Sequence, residues 1–299
     1  MRDARAPSTT VWHEPTGQGS LAQGAHAGAG SCHAAGMRDP WEGIAPDGTI
    51  VTGADRRRVS AAFEPVLTAY IAAIDDPRVS VYLYGSVATG VAHVGVSDVD
   101  LLTIGLSDAA AGAVQQLLSG RFRHLTRAVE IGAAQPQDFS GEGDQAYGNR
   151  VFLKHYCVLL AGPSRHAALP RAAADARAAR GFNGDIDRHF QGWRAALHGQ
   201  PDAPRLDIAS LGRRVARKTL LAVAGLVSVH DITWTTDRVS AAHRWSQVRP
   251  SFASLSASLV QWSEGATSAS REQLHQSLAR GGIVEEAVED FRTNIGLWT

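Results

Sequence analysis

One stretch of this chain leaves it few choices of fold. From Val79 to Ile104 the sequence reads VSVYLYGSVATGVAHVGVSDVDLLTI. Val79 to Tyr84, bounded by Pro77 and Gly85, has the composition of a strand. Asp98 to Ile104 opens on two acids and continues as a second strand. Eleven residues separate Ser86 from Asp98, with Gly90 and Gly95 among them. Residues i and i+2 of a strand share a face, so Asp98 and Asp100 project side by side with Val99 turned into the core. Two like charges held that close repel and raise each other's pKa. A divalent cation resolves the conflict, and Mg²⁺ prefers oxygen ligands while keeping water and substrate phosphates in its shell. Upstream, Gly85 lets the backbone approach a phosphate closely, and Ser86 offers a hydroxyl and an N–H. A helix starting there would add a favourable N-terminal dipole. A phosphate cradle and a metal-binding carboxylate pair in one hairpin point to phosphoryl or nucleotidyl transfer.

The surrounding sequence frames this segment. Val59, Phe63, Val66, Leu67, Tyr70, Ile71 and Ile74 recur at helical spacing. Pro65 sits inside that pattern, so the helix either kinks there or starts at Glu64. After the two strands, Ser107 to Leu118 reads as a helix ending near Gly120, and Thr126 to Ala134 as a third strand. Gln135-Pro136 breaks that pattern. Gly141 to Gly148 reads as a polar loop carrying Glu142 and Asp144. Val151 to Leu160 resumes an apolar, helical pattern that stops at Gly162-Pro163, and Ala167 to Arg180 is Ala/Arg-rich and helix-prone. Beyond Pro204 the pattern is helical almost throughout. Leu211, Val215, Leu220, Val223 and Val227 line one long helix, Ser270 to Gln273 is a capping box, and Val284 to Leu297 is a final amphipathic stretch. Residues 1–54, mostly Gly, Ala, Ser, Gln and His from Gly17 to Gly36, cannot bury enough apolar surface to offset ordering entropy. They read as a flexible tail, with Met37 as an alternative start. The expected organisation is α+β: the tail, a small mixed-sheet domain over 55–160, and an all-helical domain over 161–299.

Composition narrows the function. The 29 basic and 29 acidic side chains cancel, which disfavours a nucleic-acid surface. No run approaches the roughly 18 apolar residues of a membrane span, and no apolar region follows the N-terminal charges as in a secretory signal. Cys32 and Cys157 make no disulfide framework, so a cytoplasmic setting is expected. Cys157, in an apolar run, reads as a buried small hydrophobe. His13, His26 and His33 are scattered without zinc spacing.

Gly85-Ser86, eleven residues and Asp98-Val99-Asp100, flanked as LYGS and SDVDLL, resemble the GS…DxD motif of the DNA polymerase β-like nucleotidyltransferase superfamily. That family takes a third carboxylate from a neighbouring strand, and Glu130 in Arg127-Ala128-Val129-Glu130-Ile131 stands in that order. The chain after about Arg57 further resembles the aminoglycoside 3''-adenylyltransferases that act on streptomycin and spectinomycin. The carriers are RAVEI, the segment His155 to Pro163, read as a helix ending in Gly-Pro, Arg217-Lys218-Thr219-Leu220-Leu221, and Trp234-Thr235-Thr236 through Ala241-Ala242. It departs from them at Asp237-Arg238, about one residue out of register with a usual basic position. Ile131-Gly132-Ala133-Ala134 is also smaller than expected, and the tail has no counterpart.

The resemblance implies Mg²⁺ at Asp98 and Asp100, and Glu130 as a third ligand or as the general base for the acceptor hydroxyl. It implies phosphate contacts from Gly85 and Ser86. Arg217, Lys218 and Arg238 are triphosphate candidates, with a charge on an exposed helix face as the plainer alternative. The resemblance further implies ATP as the donor and a small-molecule hydroxyl as the acceptor, and a monomer without nucleic-acid or membrane partners is expected. A protein acceptor, as in antitoxin-type enzymes, and a nucleotide-binding sensor on the same fold are the alternatives. Glu142 and Asp144 suit a cationic acceptor or a solvated loop. Trp193, Trp234, Trp245 and Trp262 suit stacking on a ligand, though core packing better explains most of them.

Overall fold

The computed structural model describes residues 41–199 and 207–299. Met37, Cys32 and the three tail histidines lie outside the described residues. In chain order the elements are β1 (Gly43–Ile44), β2 (Ile50–Val51), α1 (Glu64–Ala73), β3 (Ser80–Tyr84), α2 (Gly85–Thr89), β4 (Val99–Ile104), α3 (Asp108–Phe122), β5 (Val129–Ala134), α4 (Asp144–His155) and β6 (Val158–Ala161). Helices α5 (Ala176–Asn183), α6 (Ile186–Leu197), α7 (Ile208–His230), α8 (Arg238–Val248), α9 (Ala253–Glu264), α10 (Arg271–Leu278) and α11 (Ile283–Asn294) follow. The described residues form two compact units. One comprises Gly53–Gly141 and Asn149–Pro170; the other comprises residues 41–52, Glu142–Gly148 and the chain from Arg171 on. The fold is thus α+β, with a small mixed sheet and a helical C-terminal region. No helix among the described residues is long and apolar enough to cross a membrane.

The first unit is built on a four-stranded sheet in the order β5-β4-β3-β6. Strands β4 and β5 run parallel, and β3 is antiparallel to both of its neighbours. Every residue of β3 and β4 is buried, which is why both are mostly apolar rather than alternating, with Ser80, Asp100 and Thr103 as the polar exceptions. Phe63, Leu67, Leu83, Leu101, Leu118 and Ile131 anchor the core. Helix α1 starts at Glu64 with Pro65 in its first turn, where a missing N–H costs nothing. Helix α3 is capped by Ser107 and runs two residues past Gly120. Burying Phe122 contributes about 2 kcal/mol and outweighs the ~1 kcal/mol cost of a helical glycine. The third strand begins at Val129 rather than Thr126, because the Thr126 hydroxyl sits between the carbonyls of Ser97 and Ala128.

Four expectations need correction. The helix expected to run to Leu160 ends at His155, and Val158–Ala161 instead form β6 against β3. A four-residue apolar run fits either period, and the open edge of β3 decides for strand. Helix α4 begins at Asp144, inside the stretch that reads as a loop, and α5 begins only at Ala176, capped by Asp175, well inside the Ala/Arg-rich run. Residues 41–52 are not tail: β1 and β2 pair around Pro46-Asp47-Gly48, and Thr49 bridges to Ala173. The Asp-Gly turn between apolar residues is a hairpin signal that the tail's composition masked.

The helical unit packs around α7, which touches α5, α8, α9 and α11. Leu211, Val215, Leu220, Val223 and Val227 are buried along it as their spacing predicts. The Ser270–Gln273 capping box starts α10. Trp193, Trp245 and Trp262 lie in this core, and buried Trp234 packs on Phe182 at 5.7 Å between ring centroids.

Candidate active site

The carboxylates are placed by register. Tyr84 of β3 pairs with Asp100 of β4, and Asp100 pairs with Glu130 of β5. Paired residues project from the same face, so Tyr84, Asp100 and Glu130 form a row across three strands. Asp98, just before β4, stands two positions upstream of Asp100 on that face. Asp98 is 1% exposed and Asp100 2%.

Gly85 makes the row fit. It ends β3 at φ +71°, a backbone conformation that favours glycine, and a Cβ there would run into Asp100 Oδ2. Helix α2 does start at Gly85, but it has five residues, so few peptide dipoles align. Half-buried Ser86 follows, its carbonyl accepting from Val91 N–H at 3.0 Å.

Two groups in the row are left wanting. Asp100 Oδ1 is buried with no hydrogen-bond partner, and so is the Tyr84 hydroxyl, whose ring meets Phe152 edge-on at 5.1 Å. Burial, helped by the charges of Glu130 and Asp98, pushes Asp100 up to about 8, against the opposing charge of Arg127. Burial likewise raises the Tyr84 hydroxyl, with the Asp100 charge adding to it. Asp98 is answered instead: Arg127 Nε donates to Oδ1 at 3.0 Å and Nη2 to Oδ2. That hydrogen bond is the main cause raising the Arg127 guanidinium above its ordinary value.

An orphaned, buried carboxylate oxygen beside two further acids is what a hard cation with oxygen ligands would satisfy, so the donor set fits a divalent metal. Among the described residues no three acidic, His or Cys side chains already stand in a metal-holding arrangement, and both Asp98 oxygens are turned to Arg127.

The remaining candidates belong to the helical unit. Arg217 is buried and its Nε donates to the Ser263 carbonyl at 3.1 Å. Lys218 Nζ lies 2.7 Å from Asp185 Oδ1. Neither is a charge on an exposed helix face. Arg238 opens α8, which Asp237 caps through Ser240 N–H. Asp144 pairs with Arg180 at 3.0 Å, while Glu142 is exposed. Cys157 is buried, and burial pushes its thiol up, in keeping with an inert core position. Sequence reasoning missed Arg127 and Tyr84 as members of the site. The demand of a buried acid pair for a nearby cation could have found Arg127.

Residues 71–132 match the family model described as "Nucleotidyltransferase domain". The match spans Gly85, Ser86, Asp98, Asp100, Arg127 and Glu130. No curated protein matches the chain. The segment that builds this site is a nucleotidyltransferase domain of the DNA polymerase β-like superfamily, and the chain that carries it is a nucleotidyltransferase.

Proposed function

We propose that the protein transfers AMP from ATP to a hydroxyl of a small molecule, an aminoglycoside or aminocyclitol being the first candidate class. The observation that carries this reading is the buried Asp98–Asp100 pair, aligned with Glu130 beside a turn that only glycine fits. Asp98 and Asp100 would hold Mg²⁺, with Glu130 as third ligand or as base. Bound there, the ion would neutralise charge on the nucleotide phosphates. Gly85 and Ser86 bring backbone and hydroxyl to the phosphate side, and the absence of a Cβ keeps that approach open. As the base, Glu130 takes the acceptor hydroxyl proton on its carboxylate, so that the oxygen can attack the α-phosphorus and pyrophosphate can leave.

The test is mass spectrometry of reactions containing ATP, Mg²⁺ and a panel of hydroxylated amino sugars that includes streptomycin and spectinomycin. A metal-dependent AMP adduct on one compound, absent with Asp100→Ala, is the expected result. Full transfer by Asp100→Ala would overturn the reading. An adduct on protein alone would replace the small-molecule acceptor with a protein hydroxyl.

A further inference from the structure

We propose that Arg127 is a positioning residue that stands in for the cation: it clamps Asp98 in the metal-free protein, then yields Asp98 and turns to a nucleotide phosphate when metal and nucleotide enter. The proposal rests on the nucleotidyl-transfer reading. An ionised carboxylate as buried as Asp98 needs a counter-charge. Arg127 supplies one through a two-pronged grip on both oxygens. Those same oxygens are the donors a metal would take. A guanidinium on them occupies their lone pairs and repels a second cation, so arginine and metal compete for one residue.

Arg127 is built to give way. Its side chain is 40% exposed, against 1% for its partner, so the guanidinium has water to move into. Its backbone N–H is tied to the Ser97 carbonyl at 3.2 Å, and Val99 N–H to the Ala128 carbonyl at 3.0 Å. Release would therefore move the side chain and leave the strands in register. The freed fork matches a phosphate as well as it matches a carboxylate, which a lysine would not. A guanidinium is protonated at any working pH, so Arg127 keeps its charge whether or not it holds Asp98.

The experiment titrates the full chain by calorimetry, first with Mn²⁺ alone and then with α,β-methylene ATP at saturating Mn²⁺. It compares the wild type with Arg127→Gln and Arg127→Lys. Arg127→Gln is expected to bind Mn²⁺ alone more tightly and the nucleotide analogue about tenfold more weakly, the size of one lost charge-assisted hydrogen bond. Arg127→Lys is expected to restore part of the nucleotide binding. A merely structural role would weaken both ligands together, and that result, or unchanged Mn²⁺ affinity, overturns the proposal. If Arg127→Gln does not fold, the wild type carries the test. Its Arg127 Nε–H resonance, assigned by its loss in Arg127→Lys, must shift on titration with Mg²⁺, and a resonance that stays still overturns the proposal. Mn²⁺ binding that disappears in Asp100→Ala but ignores Arg127 sinks this proposal alone. No Mn²⁺ bound by the wild type even with the nucleotide analogue present sinks the nucleotidyl-transfer reading with it.

Discussion

Asp100 holds a conflict that only a ligand relieves: a carboxylate under the sheet surface with one oxygen unpaired and two acids beside it. Its folded-state pKa, pushed up to about 8, lies above the unfolded value near 4. The sign follows. The folded state binds the proton more tightly, so stability present below pH 4 declines as pH rises through about 8. In chelator-treated protein, Asp100→Asn should therefore melt above the wild type at pH 8.5, by roughly 5 °C or more, and close to it at pH 5. Parallel melting curves across that range would refute the assignment, and the variant should lose transfer altogether. Gly85, Asp98 and Asp100 were legible because a period of two and a conformational demand for glycine are local properties, whereas Glu130 came only from the strand order of the family that the motif resembles. Arg127 and Tyr84 were not legible, because their partners follow from strand order and register. Neither the RAVEI segment nor LYGS carries that information within itself.

At the scale of elements, long periodic segments declared themselves and short ones did not. Helix α7 runs for 23 residues, about six turns, with its apolar stripe along most of that length, so tertiary context had nothing to override. In contrast, Val158–Ala161 was decided by the edge of β3. Lys218 shows how an element's packing can absorb a residue that resembles a ligand contact. It reaches from α7 to Asp185, the residue before α6, and His189 of α6 holds the same carboxylate at 3.2 Å. Burial works to raise the Asp185 pKa, but the His189 hydrogen bond and the Lys218 charge outweigh it and hold the carboxyl well below the usual carboxylate range. A depressed folded pKa contributes stability above the unfolded value near 4, lost as pH falls below it. Lys218→Met strands a buried charge and should cost about 3–5 kcal/mol in urea denaturation at pH 7. Adding Asp185→Asn to it should recover part of that loss. No recovery in the double variant would show that the pair does not couple these helices. A loss of nucleotide binding with stability intact would return Lys218 to the phosphate role its sequence context implied.

At the scale of the whole molecule, two compact units are drawn from interleaved stretches of chain. Helix α4 contributes Asp144 to Gly148 to one and the rest of its length to the other. Residues 41–52 join the helical unit although they lie far from it in sequence, and composition alone assigned them to a tail. Glu42 is what ties them there. Its buried carboxylate accepts from Thr235 Oγ1 at 3.1 Å, Thr236 N–H at 2.7 Å and Thr236 Oγ1 at 2.8 Å. Such a hub cannot be read from one sequence, because it joins positions 193 and 194 residues apart. Glu42→Ala leaves those donors without their acceptor and should cost about 1–3 kcal/mol. The sheet unit's described stretches contain no tryptophan, whereas Trp193, Trp234, Trp245 and Trp262 all lie in the helical unit. Trp12 lies outside the described residues and the other six tryptophans belong to the helical unit, so the change in tryptophan fluorescence during urea denaturation reports chiefly on that unit. The Glu42→Ala midpoint should shift downward by this probe, with emission moving to the red as Trp234, next to Thr235, loses its cover. Glu42→Gln, which keeps an acceptor oxygen, should lie between the two. An unshifted fluorescence midpoint in Glu42→Ala would mean that the hairpin's attachment contributes nothing to the stability of the helical core.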